Sequence, residues 1–132
     1  MGNVPTGFRS VRIEIETLDE RLSSDLMGDP SPSAGQIAMV PGDVALHYDC
    51  EIVQFAVDVP NVIRIVAAFG GQVALNMFSS WLYDKIKGRA TTIRINRRTI
   101  QIGEAKSVSV NGIDIEDAKN VRIIEETLKM EE

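Results

Sequence analysis

The segment 60–87 is the feature that most constrains how this chain can fold. Residues 62–82 form a predominantly apolar run, and a run of that length could cross a bilayer as a helix. However, the run contains Arg64 and the amides of Gln72 and Asn76, and polar groups at membrane depth are costly. We therefore expect no membrane span and predict that segment 60–87 is a long apolar helix in the core of a domain.

Small residues recur along this predicted helix at a spacing of four, which places them on shared faces. Small side chains let a second backbone approach closely. We therefore predict close packing against a sheet, or a contact between two copies of the chain, at this part of the helix. The predicted packing residues are Ala67, Gly70, Gly71 and Ala74, together with the bulkier Trp81.

Apolar residues that alternate with polar ones predict strands on both sides of the helix. We expect a short helix over 17–26, a Gly/Pro-rich loop over 27–35 and a closing helix from residue 114 or 115 to 130. The Asn111-Gly112 pair predicts a second hairpin after the one at 91–102. The predicted strands cover residues 11–15, 36–40, 44–48 and 51–59, followed by the hairpins at 91–102 and 108–115.

These elements predict a single α+β domain over residues 1–132, in keeping with the length of the chain. Its sheet is small and mixed or antiparallel. The sheet contains a β-hairpin meander and packs against a long central apolar helix and a C-terminal helix.

One histidine and one cysteine limit the chemistry open to this chain. A lone Cys50 excludes an internal disulfide framework and a zinc site built from cysteines. His47 and Cys50 are three residues apart, so in a regular strand they would face opposite sides and could not form a catalytic pair. The carboxylates follow patterns typical of solvated strand faces and helix ends. We therefore predict no catalytic residues, no metal site and no cofactor, and a protein that is not an enzyme.

Positive charge is concentrated in one part of an otherwise acidic chain. The net charge is −5, which argues against a protein that coats DNA, yet half of the Lys and Arg residues lie between positions 85 and 106. Guanidinium groups at a hairpin tip suit bidentate recognition of phosphate or carboxylate. We predict that an anionic ligand or partner binds here; the alternative is a solvated edge whose charge prevents pairing between sheets. The predicted binding residues are Lys87, Arg89, Arg94, Arg97 and Arg98.

The first ten residues do not show the cationic and then apolar order of a signal peptide, and a lone cysteine fits a reducing compartment. We therefore expect a cytoplasmic protein.

Residues 69–75 read Phe-Gly-Gly-Gln-Val-Ala-Leu, and Ser-Ser-Trp-Leu at 79–82 and a basic strand pair follow them. This pattern resembles the effector-associated constant component family of bacterial conflict systems, whose members are small α+β domains. The resemblance implies a non-enzymatic adaptor that couples effectors to sensing or processing partners in a bacterial defence or counter-defence system, including defence against phage. It implies no catalytic residues. The strand-rich region 36–59 and the Asn111-Gly112 hairpin depart from the family's pattern.

Two further functions stay open at this point. The first is an oligomeric protein that sequesters an anionic nucleotide, or inhibits a defence protein, through Arg94, Arg97 or Arg98. The second is a small enzyme of unrecognised type. Self-association is a related prediction, since the basic hairpin of one copy could meet the acidic C-terminal helix of another.

Overall fold

The computed structural model describes residues 8–54, 58–70, 73–102, 109–110 and 113–130. Six strands form one sheet in the order β2-β3-β4-β1-β5-β6, and every neighbouring pair is antiparallel. A separate two-stranded sheet pairs β7 with β8. The predicted α+β class is therefore confirmed. The elements are β1 (Phe8–Thr17), α1 (Leu22–Met27), β2 (Ile37–Val40), β3 (Val44–Ile52), β4 (Asn61–Gly70), α2 (Val73–Ile86), β5 (Ala90–Ile95), β6 (Arg98–Gln101), β7 (Ser109–Val110), β8 (Ile113–Asp114) and α3 (Ile115–Met130).

Strand β1 is an inner strand of the sheet, and its alternating sequence presents one apolar face and one charged face. Val11, Ile13 and Ile15 are buried at 0–1% exposure. Arg12 and Glu14, which point the other way, are exposed and half-buried respectively. β4 pairs along one edge of β1 and β5 along the other, so the charged face of β1 has neighbours on both sides.

The helices pack on the apolar face of this sheet. The ring of Phe69 on β4 lies 6.3 Å from that of Phe78 on α2, and Ile124 of α3 belongs to the same buried cluster. Arg9 of β1 stacks over the Phe69 ring at 5.2 Å. Its guanidinium also donates to the carbonyl of Leu128 at 3.4 Å, near the C-terminus of α3, where a positive charge is favourable. Within the described residues, no helix covers the opposite face of the sheet.

The prediction of one long helix over 60–87 is wrong in its first half. Residues 61–70 are strand β4, and the helix α2 begins at Val73. β4 is an inner strand between β3 and β1, and on the side away from the helices it carries the apolar Val62, Val66 and Ala68, so its sequence shows no clean alternation. Such an apolar run cannot be told from a buried helix by its pattern. The β-branched Ile63, Ile65 and Val66 favour the strand.

The predicted small-residue helix face is wrong for the same reason. Ala67 and Gly70 lie in β4 and Ala74 lies in α2, so the spacing of four does not put them on one helix. Ala67 is buried in the core of the sheet. Trp81 is in α2, half-buried, with its ring 6.0 Å from that of Phe78. Gly71 lies outside the described residues.

The strand predicted over 51–59 is also wrong, because the strand here is β3 and it ends at Ile52. Asp58 has a φ of 67°, which does not fit a strand. The backbone N–H of Gln54 donates to Oδ1 of Asn61 at 2.9 Å, so the chain turns back towards β4 directly after β3. Residues 55–57 lie outside the described part of the chain.

The remaining elements follow the predictions closely. The hairpin predicted over 91–102 is β5 and β6, and the closing helix is α3. The second hairpin is confirmed as the two-residue strands β7 and β8, while Asn111 and Gly112 lie outside the described residues. The short helix predicted over 17–26 begins only at Leu22, because Thr17 ends β1. No described helix is both long enough and apolar enough to cross a membrane.

Candidate functional site

The sheet face opposite the helices, which we call the open face, has a charged half and an apolar half. On the charged half, Glu14 of β1 is paired in register with Arg64 of β4 and with Arg94 of β5. Residues opposite one another in antiparallel strands point to the same side of a sheet. The three side chains therefore form a row across the middle of the open face.

Three arginines surround a depression at the end of this charged half. Its volume is about 520 Å³, and its lining consists of Arg12, Glu14, Arg94, Asn96 and Arg97. Arg12 comes from β1 and Arg94 from β5, while Asn96 and Arg97 form the turn between β5 and β6. Two of the arginines predicted to bind a partner, Arg94 and Arg97, thus lie together with a third. We call Arg12, Arg94 and Arg97 the arginine cluster.

Asn96 joins the hairpin turn to the backbone of Arg12. Its side-chain Oδ1 accepts from the Arg12 backbone N–H at 3.0 Å, and its own backbone N–H donates to the Arg12 carbonyl at 2.8 Å. Asn96 has a φ of 52°, a left-handed conformation that asparagine tolerates better than most residues. This pair of hydrogen bonds fixes where the Arg12 side chain leaves β1, beside the turn that carries Arg97.

Among the described residues that line the depression, Glu14 is the one carboxylate, and Arg64 of β4 binds it. Nε of Arg64 donates to Oε2 of Glu14 at 3.3 Å. Because Arg64 offsets the charge of Glu14, the positive charge of the arginine cluster is not cancelled locally. Within the described residues, no ion pair joins Arg12, Arg94 or Arg97 to a carboxylate, and all three side chains are exposed.

The structure places Arg89 elsewhere. Its Nε lies 2.6 Å from Asp19 Oδ2 and its Nη2 lies 2.7 Å from Asp25 Oδ2. The hydrogen bond with Arg89 holds the pKa of the Asp19 carboxyl below its ordinary value, and the same bond raises the pKa of Arg89. This cluster ties the segment from β1 to α1 to the start of β5, so Arg89 has a structural role that accounts for its charge.

The other two predicted binding residues lie outside the arginine cluster. Lys87 is exposed in the turn after α2, and Arg98 is exposed at the start of the edge strand β6. Both have interactions of their own. Their part in binding a partner stays a prediction.

Arg12 is the functional candidate that the sequence reasoning missed. The alternation of residues 11–15 placed its side chain on the solvent face of a strand, but nothing in the sequence placed that strand beside the basic hairpin. The pairing of β1 with β5 supplies that neighbour.

His47 and Cys50 lie differently from the prediction. An irregularity between Tyr48 and Cys50 shifts the register of β3, so that His47 is opposite Val66 and Cys50 is opposite Arg64. Both therefore lie on the open face rather than on opposite faces, because a bulge adds one residue to the alternation. No hydrogen bond between them is present, so the geometry does not make them a nucleophile and base.

The apolar half of the open face lies towards β2, the edge strand on that side. Ile37 and Met39 are 55% and 68% exposed. They are opposite His47 and Ala45 of β3. Edge strands in natural proteins usually carry charges or proline that block pairing with another chain, and residues 37–40 contain neither. This half of the open face is therefore available for a contact with another chain.

Within the described residues there is no group of three or more His, Cys, Asp and Glu side chains that could hold a metal ion. Comparisons with protein-family models, with curated proteins and with solved structures found no match for this chain. The resemblance of residues 69–82 to the effector-associated constant component family therefore stays a prediction.

Proposed function

We propose that this protein is a non-enzymatic interaction module that binds an anionic partner on the open face of its sheet. The observation that carries the proposal is the arginine cluster: three exposed guanidinium groups around one depression, with no ion pair to a carboxylate in the part of the chain that the structure describes. In a chain whose net charge is −5, such a local excess of positive charge selects acidic surfaces over basic ones.

The exposure of the arginine cluster sets the strength of this interaction. An exposed ion pair contributes about 0.2–1 kcal/mol, so three pairs change a dissociation constant by about threefold to about a hundredfold. Salt screens such exposed charges. The proposal therefore predicts binding that is selective for acidic partners, moderate in affinity and sensitive to ionic strength.

Binding of a fluorescently labelled poly-glutamate peptide, followed by anisotropy at low salt, tests this proposal. We expect wild-type protein to bind it and a variant with Arg12, Arg94 and Arg97 all changed to Ala to lose about threefold to about a hundredfold in affinity. Arg122→Ala is the matched control, because it removes a charge from an exposed position on α3, outside the open face. A poly-glutamine peptide controls for backbone binding. Equal affinity of the wild type and the triple variant would contradict the proposal.

The biological setting that we propose comes from the resemblance of residues 69–82. It is a bacterial defence or counter-defence system in which this cytoplasmic module links an effector or another defence component to its partners. The arginine cluster supports such a role because adaptor contacts that must form and dissociate can rely on exposed charge. An anionic nucleotide is the alternative partner for the same residues.

Self-association is a second candidate, and the uncharged, exposed edge of β2 favours it. Antiparallel pairing of β2 with β2 of a second copy would extend the sheet across a two-fold axis and cover Ile37 and Met39. Light scattering is the test: a dimer that Met39→Lys converts to a monomer supports this candidate, and a monomeric wild type at high protein concentration removes it.

A further inference from the structure

We infer that the arginine cluster binds the phosphate group of a small ligand of the nucleotide class. This inference rests on the proposed function above and specifies its anion. Its starting point is the geometry of the depression, which three guanidinium groups approach from two strands and a turn.

The hydrogen-bond donors that line the depression suit a phosphate group. Each guanidinium carries five N–H donors in a fixed fork that matches two oxygens of an anion. A carboxylate has two oxygens in one plane, and one such fork occupies both. A phosphate group offers three or more oxygens in a tetrahedral arrangement, so Arg12, Arg94 and Arg97 can each bind a different edge of it. A depression lined by three guanidinium groups therefore suits phosphate better than carboxylate.

The positive charge of the arginine cluster also favours phosphate over carboxylate. Nε of Arg64 lies 3.3 Å from Oε2 of Glu14 and offsets part of its negative charge, so the arginine cluster keeps a net positive charge. A phosphate monoester carries about −1.5 to −2 at neutral pH, whereas a single carboxylate carries one negative charge. The more highly charged anion gains more from the same cluster.

Glu14 affects where a phosphate lies within the depression. Glu14 lies in register with Arg94, whereas Asn96 and Arg97 form the hairpin turn at the end of β5. A bound phosphate is repelled by Glu14 and is therefore displaced towards Arg12 and Arg97. Glu14 thus limits affinity, and its neutralisation should strengthen anion binding.

The depression and the surface beside it have room for the rest of the ligand. The depression, at about 520 Å³, has the size of a small-molecule site rather than that of a lone phosphate. From Arg12 the open face continues over Val66 of β4 to His47 of β3, and both side chains are half-buried. With strands about 4.8 Å apart, this row gives a sugar or a base a surface beside the phosphate.

The same surface disfavours a nucleic-acid strand. Single-stranded nucleic acid binds through aromatic side chains on which successive bases stack. The side chains that the structure describes on the open face include no Phe, Tyr or Trp, since Tyr48, Phe69, Phe78 and Tyr83 are buried in the core.

Isothermal titration calorimetry on the full chain at low salt tests the inference with inorganic phosphate, pyrophosphate, adenosine monophosphate and the polycarboxylate tricarballylate as probes. We expect pyrophosphate to bind about tenfold or more tightly than tricarballylate, and adenosine monophosphate at least as tightly as inorganic phosphate. Removing one exposed charge partner by Arg94→Ala should weaken pyrophosphate binding about two- to fivefold. Glu14→Gln should strengthen it several-fold, and the control Arg122→Ala should leave it unchanged. Circular dichroism checks that each variant is folded.

Three results would overturn the inference. They are no binding of any phosphate probe, equal affinity for tricarballylate and pyrophosphate, and an Arg94→Ala variant that binds like wild type. If poly-glutamate still binds through the arginine cluster in these cases, the proposed function stands and only the phosphate assignment falls. If poly-glutamate also fails to bind, both fall.

Discussion

The position of residue 65 gives the sharpest test of the fold, because it decides between a strand and a helix over residues 61–70. Ile65 is 0% exposed on the helix side of β4, between Ile13 of β1 and Tyr48 of β3. Ile65→Ala removes three buried carbons, about 2.4 kcal/mol of transfer free energy at about 0.8 kcal/mol each. The cavity left between two paired strands adds to this, so we expect a loss of about 3 kcal/mol in the free energy of unfolding.

For a chain of 132 residues, an unfolding entropy of about 2.1 cal/mol/K per residue converts this loss to a fall in Tm of about 11 °C. The assay is thermal unfolding followed by circular dichroism and by the fluorescence of Trp81, which is the only tryptophan of the chain. The matched control is Val66→Ala, one residue further on, where the side chain is half-buried on the open face. We expect it to cost about 1 kcal/mol or less.

A helix would give a different result. In a helix, Val62, Ile65 and Val66 would share one face, and their alanine variants would lose similar amounts of stability. In strand β4, Ile65 and its alternate neighbour Ile63 face the core, while Val62 and Val66 face away from it. A Val66→Ala variant as unstable as Ile65→Ala would refute the strand and the sheet order built on it.

Three further predictions concern single side chains. Arg89→Met should lower the free energy of unfolding by about 1–2 kcal/mol at neutral pH, because it removes partly exposed charge-assisted bonds. Arg89 lowers the pKa of Asp19, whose ordinary value is 3.8. The stabilisation by the Arg89–Asp19 pair is therefore present above pH 3.8 and is lost as the pH falls below it. Unfolding curves in urea across that pH range check this, and a gap between wild type and variant that is unchanged in acid would be evidence against the ion pair. Ser79→Ala should raise stability by about 1 kcal/mol, because the hydroxyl of Ser79 is buried and has no hydrogen-bond partner among the described residues. A variant that melts at a lower temperature than wild type would contradict this. Asn96→Gly keeps a residue that tolerates positive φ but removes the side-chain acceptor for the Arg12 backbone N–H. Calorimetry should therefore show weaker pyrophosphate binding with little loss of stability. Unchanged affinity would show that Asn96 does not position Arg12 for binding.

The sequence was informative where one face of an element is buried and the other is solvated. The alternation at 91–102 predicted the hairpin of β5 and β6, and the apolar stripe of the last helix predicted α3. It failed at β4, which carries apolar residues on its open face as well as on its core face, so its sequence does not alternate. The strand predicted over 51–59 failed because Asp58 adopts a positive φ and the chain turns after Ile52.

The sequence also predicted only part of the arginine cluster, for a different reason. Arg94 and Arg97 could be chosen from local charge density, but the pairing that brings Arg12 beside them joins residues more than eighty positions apart. Local charge density also cannot separate Arg89 from the others, because its partner Asp19 lies seventy residues earlier in the chain. Long-range strand pairing decides which arginines remain available to a ligand, and no local pattern contains it.

The most direct test of the account is a map of where an anion binds. In a titration of ¹⁵N-labelled protein with pyrophosphate, followed by amide chemical shifts, we predict the largest changes at Arg12, Arg94, Asn96 and Arg97, with the helices α2 and α3 unaffected. Changes concentrated on α2 and α3 would contradict the claim that the open face of the sheet is the binding surface of this protein, and no saturable changes at all would contradict the claim that it binds phosphate.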